Sequence, residues 1–187
     1  MSAGVKEEAE KIYELLRNYI PSEWDGKKAI LELKEADYYW RRPEWIGWYF
    51  ESKPHRILVE NIGGSFGPKY GRTQFDYKRN YVWDFKTHVD NSGPWAIIND
   101  TEAMDKCIQE YGGVGLILAI GSAEYDDEKR TFQNWHEQLK GGKSKYEYER
   151  IKRGATSRVR KITFVLRKIE VLWLTSDLIL AGIRGIG

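Results

Sequence analysis

The chain has 187 residues, of which 41% are hydrophobic and 31% are charged, and its formal net charge is +2. These values predict a soluble globular protein with a single domain over residues 1–187. No apolar run approaches the roughly 20 residues that span a bilayer, and the N-terminal residues lack the apolar stretch of a signal or transit peptide. Cys107 is the only cysteine, which excludes an internal disulfide and a multi-thiolate metal site. We therefore expect a cytoplasmic protein with no membrane partner.

The hydrophobic pattern predicts a mixed α/β (α+β) fold. Apolar residues at helical spacing predict helices over residues 4–19, 27–40, 44–52, 101–111 and 126–139. Alternating or continuous apolar runs predict strands over residues 56–62, 72–77, 81–88 and 114–120, and one or two strands over 159–175. Residues 143–152 fit either a helix or a loop.

The segment Phe75–His88 is the most informative part of the chain. It is predicted to form a β-hairpin whose second strand alternates, with Trp83 and Phe85 facing a core and Asp84 and Lys86 on the opposite face. The pattern of an acid two residues before a lysine occurs six times in the chain, so it carries little weight alone. We favour the match at Asp84 because it alone lies in a strongly alternating strand.

The register of the hairpin decides whether Asp76 joins this face. If Lys78-Arg79-Asn80 is a three-residue loop, Tyr77 pairs with Tyr81 and Asp76 with Val82. Asp76 and Asp84 then become diagonal neighbours, with Cβ atoms roughly 6–8 Å apart. A two-residue loop would instead turn Asp76 to the other face.

Two carboxylates and a lysine on one sheet face suit metal-dependent phosphodiester hydrolysis. Mg²⁺ prefers oxygen ligands, which Asp76, Asp84 and the carbonyl of Phe85 could supply. Bound metal polarises a phosphate and activates water, and Lys86 would orient that water, help to deprotonate it or stabilise negative charge. The alternative is a surface hairpin with a structural Asp–Lys pair.

These residues, together with the order of the predicted elements, resemble the PD-(D/E)XK nuclease superfamily, best known from type II restriction endonucleases. The resemblance covers residues 43–121 as a catalytic core and implies a mixed central sheet with helices on both faces. It implies that Asp76 is the first acid, and Asp84 and Lys86 the second acid and the lysine. Glu51 stands where the family often carries a further Glu, and Glu60 is the alternative. Phe75 replaces the family's proline.

Residues 140–168 form a basic region that carries a net charge of +9. Such a stretch on a nearly neutral chain predicts contact with phosphates, although a solvated surface is the alternative. The candidate DNA-binding residues in it are Lys143, Lys145, Arg150, Arg153, Arg158 and Arg160.

The resemblance implies a Mg²⁺-dependent endonuclease, with Mn²⁺ as a possible substitute, that cuts double-stranded DNA as a type II restriction enzyme. Symmetric cutting of a duplex would require a homodimer. The alternatives are a Holliday-junction-resolving or repair nuclease of the same fold, and a non-catalytic nucleic-acid-binding protein.

Overall fold

The computed structural model describes residues 2–90, 100–155 and 157–176. These ranges form a mixed α/β fold with seven strands and six helices among the described residues. The helices are α1 (Ala3–Tyr19), α2 (Gly26–Glu35), α3 (Trp45–Ile62), α4 (Thr101–Tyr111), α5 (Thr131–Leu139) and α6 (Lys145–Lys152). The strands are β1 (Glu23–Asp25), β2 (Lys69–Tyr70), β3 (Thr73–Gln74), β4 (Tyr77–Lys78), β5 (Val82–Val89), β6 (Val114–Tyr125) and β7 (Lys161–Leu174).

The central sheet has the strand order β1-β7-β6-β5-β4. Strands β5 and β6 run parallel, whereas the other three pairs are antiparallel. A parallel pair needs a long crossover connection, and α4 lies within it. The strands β2 and β3 form a separate small hairpin that leads into β4.

Helices cover both faces of this sheet, as the sequence predicts. On one face, apolar side chains of α1, α2 and α3 pack against Trp83 and Phe85 of β5 and Ile117 of β6. On the other face, Met104 and Cys107 of α4 pack against Val82. Strand β5 is therefore buried on both sides, as expected for a central strand with a parallel neighbour. Within the described residues, no helix is long and apolar enough to cross a membrane.

The predicted strand at 56–62 is wrong, because these residues form the second half of α3. Residues 56–62 are rich in β-branched residues, which favours a strand. The buried side chains of α3 nevertheless include Phe50, Pro54 and Leu58, whose spacing of four residues is helical. Pro54 lies inside the helix despite the backbone hydrogen bond that it removes. Burial of this apolar face against the sheet offsets the cost.

Other boundaries also differ from the prediction. Helix α2 ends at Glu35 rather than at residue 40, and Asp37 and Tyr39 in the following turn have positive φ angles of 49° and 42°. Helix α5 begins at Thr131 instead of 126, strand β6 continues to Tyr125, and β7 is one strand. Residues 145–152 are helical.

The hairpin loop is displaced by one residue from the predicted position. Tyr77 pairs with Trp83 and Lys78 with Val82, so the loop is Arg79-Asn80-Tyr81 rather than 78–80. Continuing this register places Asp76 opposite Asp84 instead of Val82. Asp76 and Asp84 still share a face, because the pairing has shifted by two residues and side chains alternate with a period of two.

Glu8 of α1 holds this register. Its buried carboxylate accepts hydrogen bonds from the main-chain N–H of Asn80 (3.3 Å) and Tyr81 (3.3 Å), from Asn80 Nδ2 (2.7 Å) and from Trp83 Nε1 (2.9 Å). The carboxylate thereby satisfies the N–H groups of two of the three loop residues and the buried indole. A buried carboxylate is tolerated where hydrogen bonds replace its water.

Replacing Glu8 should therefore destabilise the fold more than replacing its neighbour. We expect Glu8→Ala to lower the free energy of unfolding by about 3 kcal/mol, because buried donors lose a charged acceptor. Glu7→Ala, at an exposed position of the same helix, should change it by less than about 0.5 kcal/mol. Urea denaturation of both variants measures the difference, and equal losses would contradict the role of Glu8.

His136 should make the fold sensitive to acid. Its Nε2 lies 2.8 Å from the carbonyl oxygen of Trp40, to which the neutral ring donates. Burial, together with the nearby cations of Lys140 and Arg160, lowers the pKa of His136 from 6.5 to about 4. The folded state therefore binds fewer protons than the unfolded chain between these two values, and its stability falls as the pH is lowered through that window.

When the pH is lowered from 7 to 5, the titration of His136 should reduce the free energy of unfolding by about 2 kcal/mol. In His136→Gln the side-chain amide can still donate to Trp40, but it does not titrate. We expect the loss between pH 7 and pH 5 to be smaller in this variant by that amount, measured by urea denaturation at both pH values. The same loss in both proteins would refute the assignment.

Candidate functional site

An acidic cleft opens where β4 ends beside β5. It has a volume of about 520 Å³. We use the name acidic cleft for the site lined by Tyr38, Tyr39, Trp48, Glu51, Phe66, Arg72, Thr73, Gln74, Asp76, Asp84 and Lys86. The four residues predicted as catalytic, Glu51, Asp76, Asp84 and Lys86, are all in this set.

Asp76 lies immediately before the first residue of β4. Strand β5 extends past this end of β4, so the Phe85 N–H has no main-chain partner from β4. The Asp76 carboxylate takes this place and accepts a hydrogen bond of 2.7 Å from the Phe85 N–H. Since the N–H and C=O of one strand residue point to the same edge, the Phe85 carbonyl faces the side on which Asp76 lies.

Asp84 is the most deeply buried acid of the cleft, with 1% of its surface exposed. Its one close polar contact is an ion pair with Lys86 Nζ. Apart from that contact, neither carboxylate oxygen accepts a hydrogen bond from any part of the chain that the structure describes. A buried carboxylate with so little compensation is costly, and it is the kind of group that a cation would satisfy.

Glu51 reaches the cleft from α3 and is oriented by Tyr38. The Tyr38 hydroxyl donates to Glu51 Oε2 at 3.2 Å. Tyr38 lies between the two positive-φ residues Asp37 and Tyr39, a rare backbone conformation outside glycine. The ring of Tyr39 stacks on Trp48 of α3 with a centroid distance of 4.2 Å, and this stack fixes the turn against the helix.

Burial and mutual repulsion raise the pKa of the acids. Burial, and then the charges of Asp84 and Glu51, raise the pKa of Asp76 well above its usual range. Burial also raises the pKa of Glu51 to about 7, against the opposing effects of Lys86 and the Tyr38 hydrogen bond. Burial opposes the charged form of Lys86, but the carboxylates outweigh it and raise its pKa. Lys86 is therefore an ammonium group here, which suits charge stabilisation better than proton abstraction.

The acids do not form a complete metal cage. Within residues 2–90, 100–155 and 157–176, no three His, Cys, Asp or Glu side chains are grouped so that they could hold a metal ion together. Asp76, Asp84 and the Phe85 carbonyl would supply at most three oxygens, and Glu51 is engaged with Tyr38. This suits Mg²⁺, which keeps several waters and often binds through only one or two carboxylates.

Glu60, the alternative to Glu51, does not lie in the cleft. Because residues 56–62 are helical, Glu60 lies on the exposed side of the last turns of α3. The third acid of the cleft, beside Asp76 and Asp84, is therefore Glu51.

The predicted DNA-binding residues are divided between two environments. Four of them, Lys143, Arg150, Arg158 and Arg160, line a second cavity that lies near the N-terminus of α6. The other two, Lys145 and Arg153, are exposed and outside that lining.

Tyr38 and Arg72 are cleft residues that the sequence did not reveal. The sequence pattern predicts that Tyr38 lies within a helix at 27–40. Its neighbours Asp37 and Tyr39 are not glycines and so do not signal a turn. Arg72 is exposed at the cleft, whereas the sequence pattern predicts it only as part of a strand at 72–77.

Comparison of the chain with protein-family models, with curated proteins and with solved structures finds no match.

Removing one charge from the cleft should stabilise the protein when no metal is added. At pH 8, above the pKa of about 7 that burial gives Glu51, Asp84→Asn removes a charge that repels both Asp76 and Glu51. We expect it to raise the free energy of unfolding in EDTA by about 1 kcal/mol. Glu51, with its pKa raised to about 7, becomes neutral at pH 5.5, and the gain should shrink there.

The control for this measurement is Asp105→Asn, at an exposed position of α4. It should change the free energy of unfolding by less than about 0.5 kcal/mol at both pH values. A clear destabilisation by Asp84→Asn at pH 8 would mean that the Asp84–Lys86 pair is structural.

Proposed function

We propose that the protein is a Mg²⁺-dependent endonuclease that hydrolyses phosphodiester bonds of double-stranded DNA, with type II restriction cleavage as its activity. The observation that carries the proposal is the convergence of Glu51, Asp76, Asp84 and Lys86 in one cleft. These residues come from a helix and from two adjacent strand segments. Their chemistry is that of a site where a cation and a phosphate meet.

The donor set fits a hard divalent cation. Apart from the ion pair with Lys86, the two buried carboxylate oxygens of Asp84 accept no hydrogen bond from the described chain, and Asp76 lies opposite Asp84 in the hairpin register. These two carboxylates and the Phe85 carbonyl would hold Mg²⁺ or Mn²⁺. When bound, the metal would polarise the scissile phosphate and lower the pKa of an attacking water.

Lys86 and Arg72 supply positive charge to the same cleft. Lys86 is mostly buried and protonated, so it would stabilise the negative charge that develops on the phosphate oxygens. Arg72 is exposed, and its guanidinium would contact a phosphate of the strand as it enters. The cleft thus offers cations to the substrate as well as acids to the metal.

Glu51 would hold a proton during the reaction. Its pKa of about 7 lies close to neutral pH, where a group can both accept and release a proton. The hydrogen bond from Tyr38 orients its carboxylate and leaves the second oxygen, Oε1, for the water or for the metal.

The order of the elements supports the resemblance to PD-(D/E)XK nucleases. Helix α3 is followed by three adjacent antiparallel segments, then by α4 and the parallel strand β6. The first of the three segments is residues 65–70, since Ser65 forms a bridge with Lys78. The sequence pattern predicts residues 56–62 as this first segment, but they belong to α3.

The proposal includes double-stranded DNA as the partner, a homodimer and a cytoplasmic location. Exposed cations of the basic region at 140–168 that lie outside the second cavity, such as Lys145 and Arg153, would provide positive charge for backbone contacts. One acidic cleft per subunit can serve one strand, so two subunits would serve both.

Cleavage of DNA tests the proposal directly. Purified protein is incubated with plasmid and phage DNA, linear duplex and a four-way junction, in Mg²⁺, Mn²⁺ or EDTA. We expect metal-dependent cutting of the duplex into discrete fragments. Asp84→Asn and Lys86→Ala should each lose at least about 100-fold in rate, because each removes several kcal/mol of charge stabilisation.

Matched controls are Asp105→Asn and Lys129→Ala, which change exposed residues outside the cleft and should cut at the wild-type rate. If the wild-type protein cuts nothing in either metal, the enzyme proposal fails. Preferred cutting of the junction would favour the resolving nuclease, and equal activity of Asp84→Asn and the wild type would refute the site.

A further inference from the structure

A second cavity, which we call the arginine cavity, lies apart from the acidic cleft. It has a volume of about 690 Å³ and shares no lining residue with the cleft. Its walls are residues 41–44, the connection between α5 and α6, part of α6 and the approach to β7. The charged side chains that line it are Arg41, Arg42, Glu44, Glu137, Lys140, Lys143, Glu147, Arg150, Arg158 and Arg160.

The cavity has a surplus of positive charge. Seven cationic side chains and three carboxylates line it. Glu137 is engaged in an ion pair with Lys143 and accepts a hydrogen bond of 2.9 Å from Gln133. Glu147 accepts a hydrogen bond of 3.0 Å from Ser157. Within the described residues, these acids therefore leave the cavity with a surplus of arginine charge.

The cations of the cavity also repel one another. Burial and then the Arg160 charge lower the pKa of Lys140, and the charge of Arg41 lowers it further. Arg41 lies close by, because it donates a hydrogen bond of 3.0 Å to the Lys140 carbonyl. A concave wall of like charges is unfavourable without an anion.

Arg150 is the least satisfied of these cations. Only 17% of its side chain is exposed, and its Nε and Nη2 are buried without a hydrogen-bond partner among the described residues. The nearest carboxylate oxygen, Glu147 Oε1, is 4.0 Å from Nη2. Both nitrogens are buried, so the guanidinium must turn toward the cavity before a phosphate can reach the edge formed by Nε and one Nη atom, which binds phosphate through two parallel hydrogen bonds.

The shape of the cavity limits what could bind to Arg150. A duplex lying on the protein surface presents its phosphates outside such a pocket, whereas cavities of this size hold small molecules. Tyr146 also lines the cavity and is 64% exposed, so its ring is free to stack on a base. Positive charge at depth and an aromatic ring near the mouth together match a nucleotide.

We propose that the arginine cavity binds a single nucleotide, with its phosphate on Arg150 and its base against Tyr146. A free mononucleotide, the terminal nucleotide of a strand and a nucleotide flipped out of a strand all present the same phosphate group. Because the cavity and the acidic cleft share no residue, this binding is separable from DNA cleavage.

Binding is measured by isothermal titration calorimetry in EDTA, so that cleavage plays no part. The probes are dAMP, inorganic phosphate and a short single-stranded oligonucleotide with or without a 5′-phosphate. We expect saturable binding of dAMP or of the 5′-phosphorylated oligonucleotide. Arg150→Gln should weaken it at least about tenfold, since a charged hydrogen-bonding group is lost.

Tyr146→Ala separates the base from the phosphate. Tyr146 is exposed, so this variant should fold normally. It should weaken the binding of dAMP several-fold while leaving the binding of inorganic phosphate unchanged. Lys152→Gln is the matched control, because Lys152 lies exposed on α6 outside the cavity lining and its loss also removes one positive charge. It should change the affinity by less than about twofold.

Thermal unfolding checks that Arg150→Gln is folded. If it is not, Arg158→Gln, which changes an exposed residue of the same cavity, is tested in its place. Tighter binding of dAMP would identify a free nucleotide as the ligand, and tighter binding of the 5′-phosphorylated oligonucleotide would identify a strand. No saturable binding of any probe, or the same loss in Arg150→Gln and Lys152→Gln, would overturn the proposal. DNA cleavage can fail or succeed in either case.

Discussion

The carboxylate of Glu8 fixes the register of the β4–β5 hairpin, and the acidic cleft depends on that register. Four hydrogen bonds join Glu8 to Asn80, Tyr81 and Trp83. The Trp83 ring in turn lies over Gly115 of β6, where a Cβ atom would come within 1.9 Å of the indole. Helix α1, the hairpin and the parallel strand are thus locked together, and Asp76 and Asp84 are brought opposite each other as a consequence.

The face of the sheet on which the acids lie could be predicted from the sequence, but the position of the hairpin loop could not. Alternation alone assigns Asp84 and Lys86 to one face of β5. Asp76 joins them whenever the hairpin loop has three residues, and also when the loop is two residues longer or shorter. The predicted and observed pairings differ by two residues, so the face is unchanged. The choice between them depends on Glu8, which lies about 70 residues earlier in the chain and gives no local signal.

The sequence failed where tertiary packing overrode local preference. Residues 56–62 have a strand-like composition and follow Pro54, yet they continue α3 because Ile57 and Leu58 extend its buried face. The turn that positions Tyr38 depends on two positive-φ residues, Asp37 and Tyr39, neither of which is glycine. Such conformations persist where the surroundings enforce them, and here the stack of Tyr39 on Trp48 does so.

Two buried groups of opposite charge are incompletely paired in the described structure, and they lie in different cavities. Asp84 has only its ion pair with Lys86, and Arg150 Nε and Nη2 donate no hydrogen bond, with Glu147 Oε1 4.0 Å from Nη2. Each costs stability unless a ligand of opposite charge completes it. Residues 38–44 border both cavities, with Tyr38 in the cleft and Arg41 in the arginine cavity. A cation in the cleft and a phosphate in the arginine cavity would satisfy both groups, and one short turn would link the two sites.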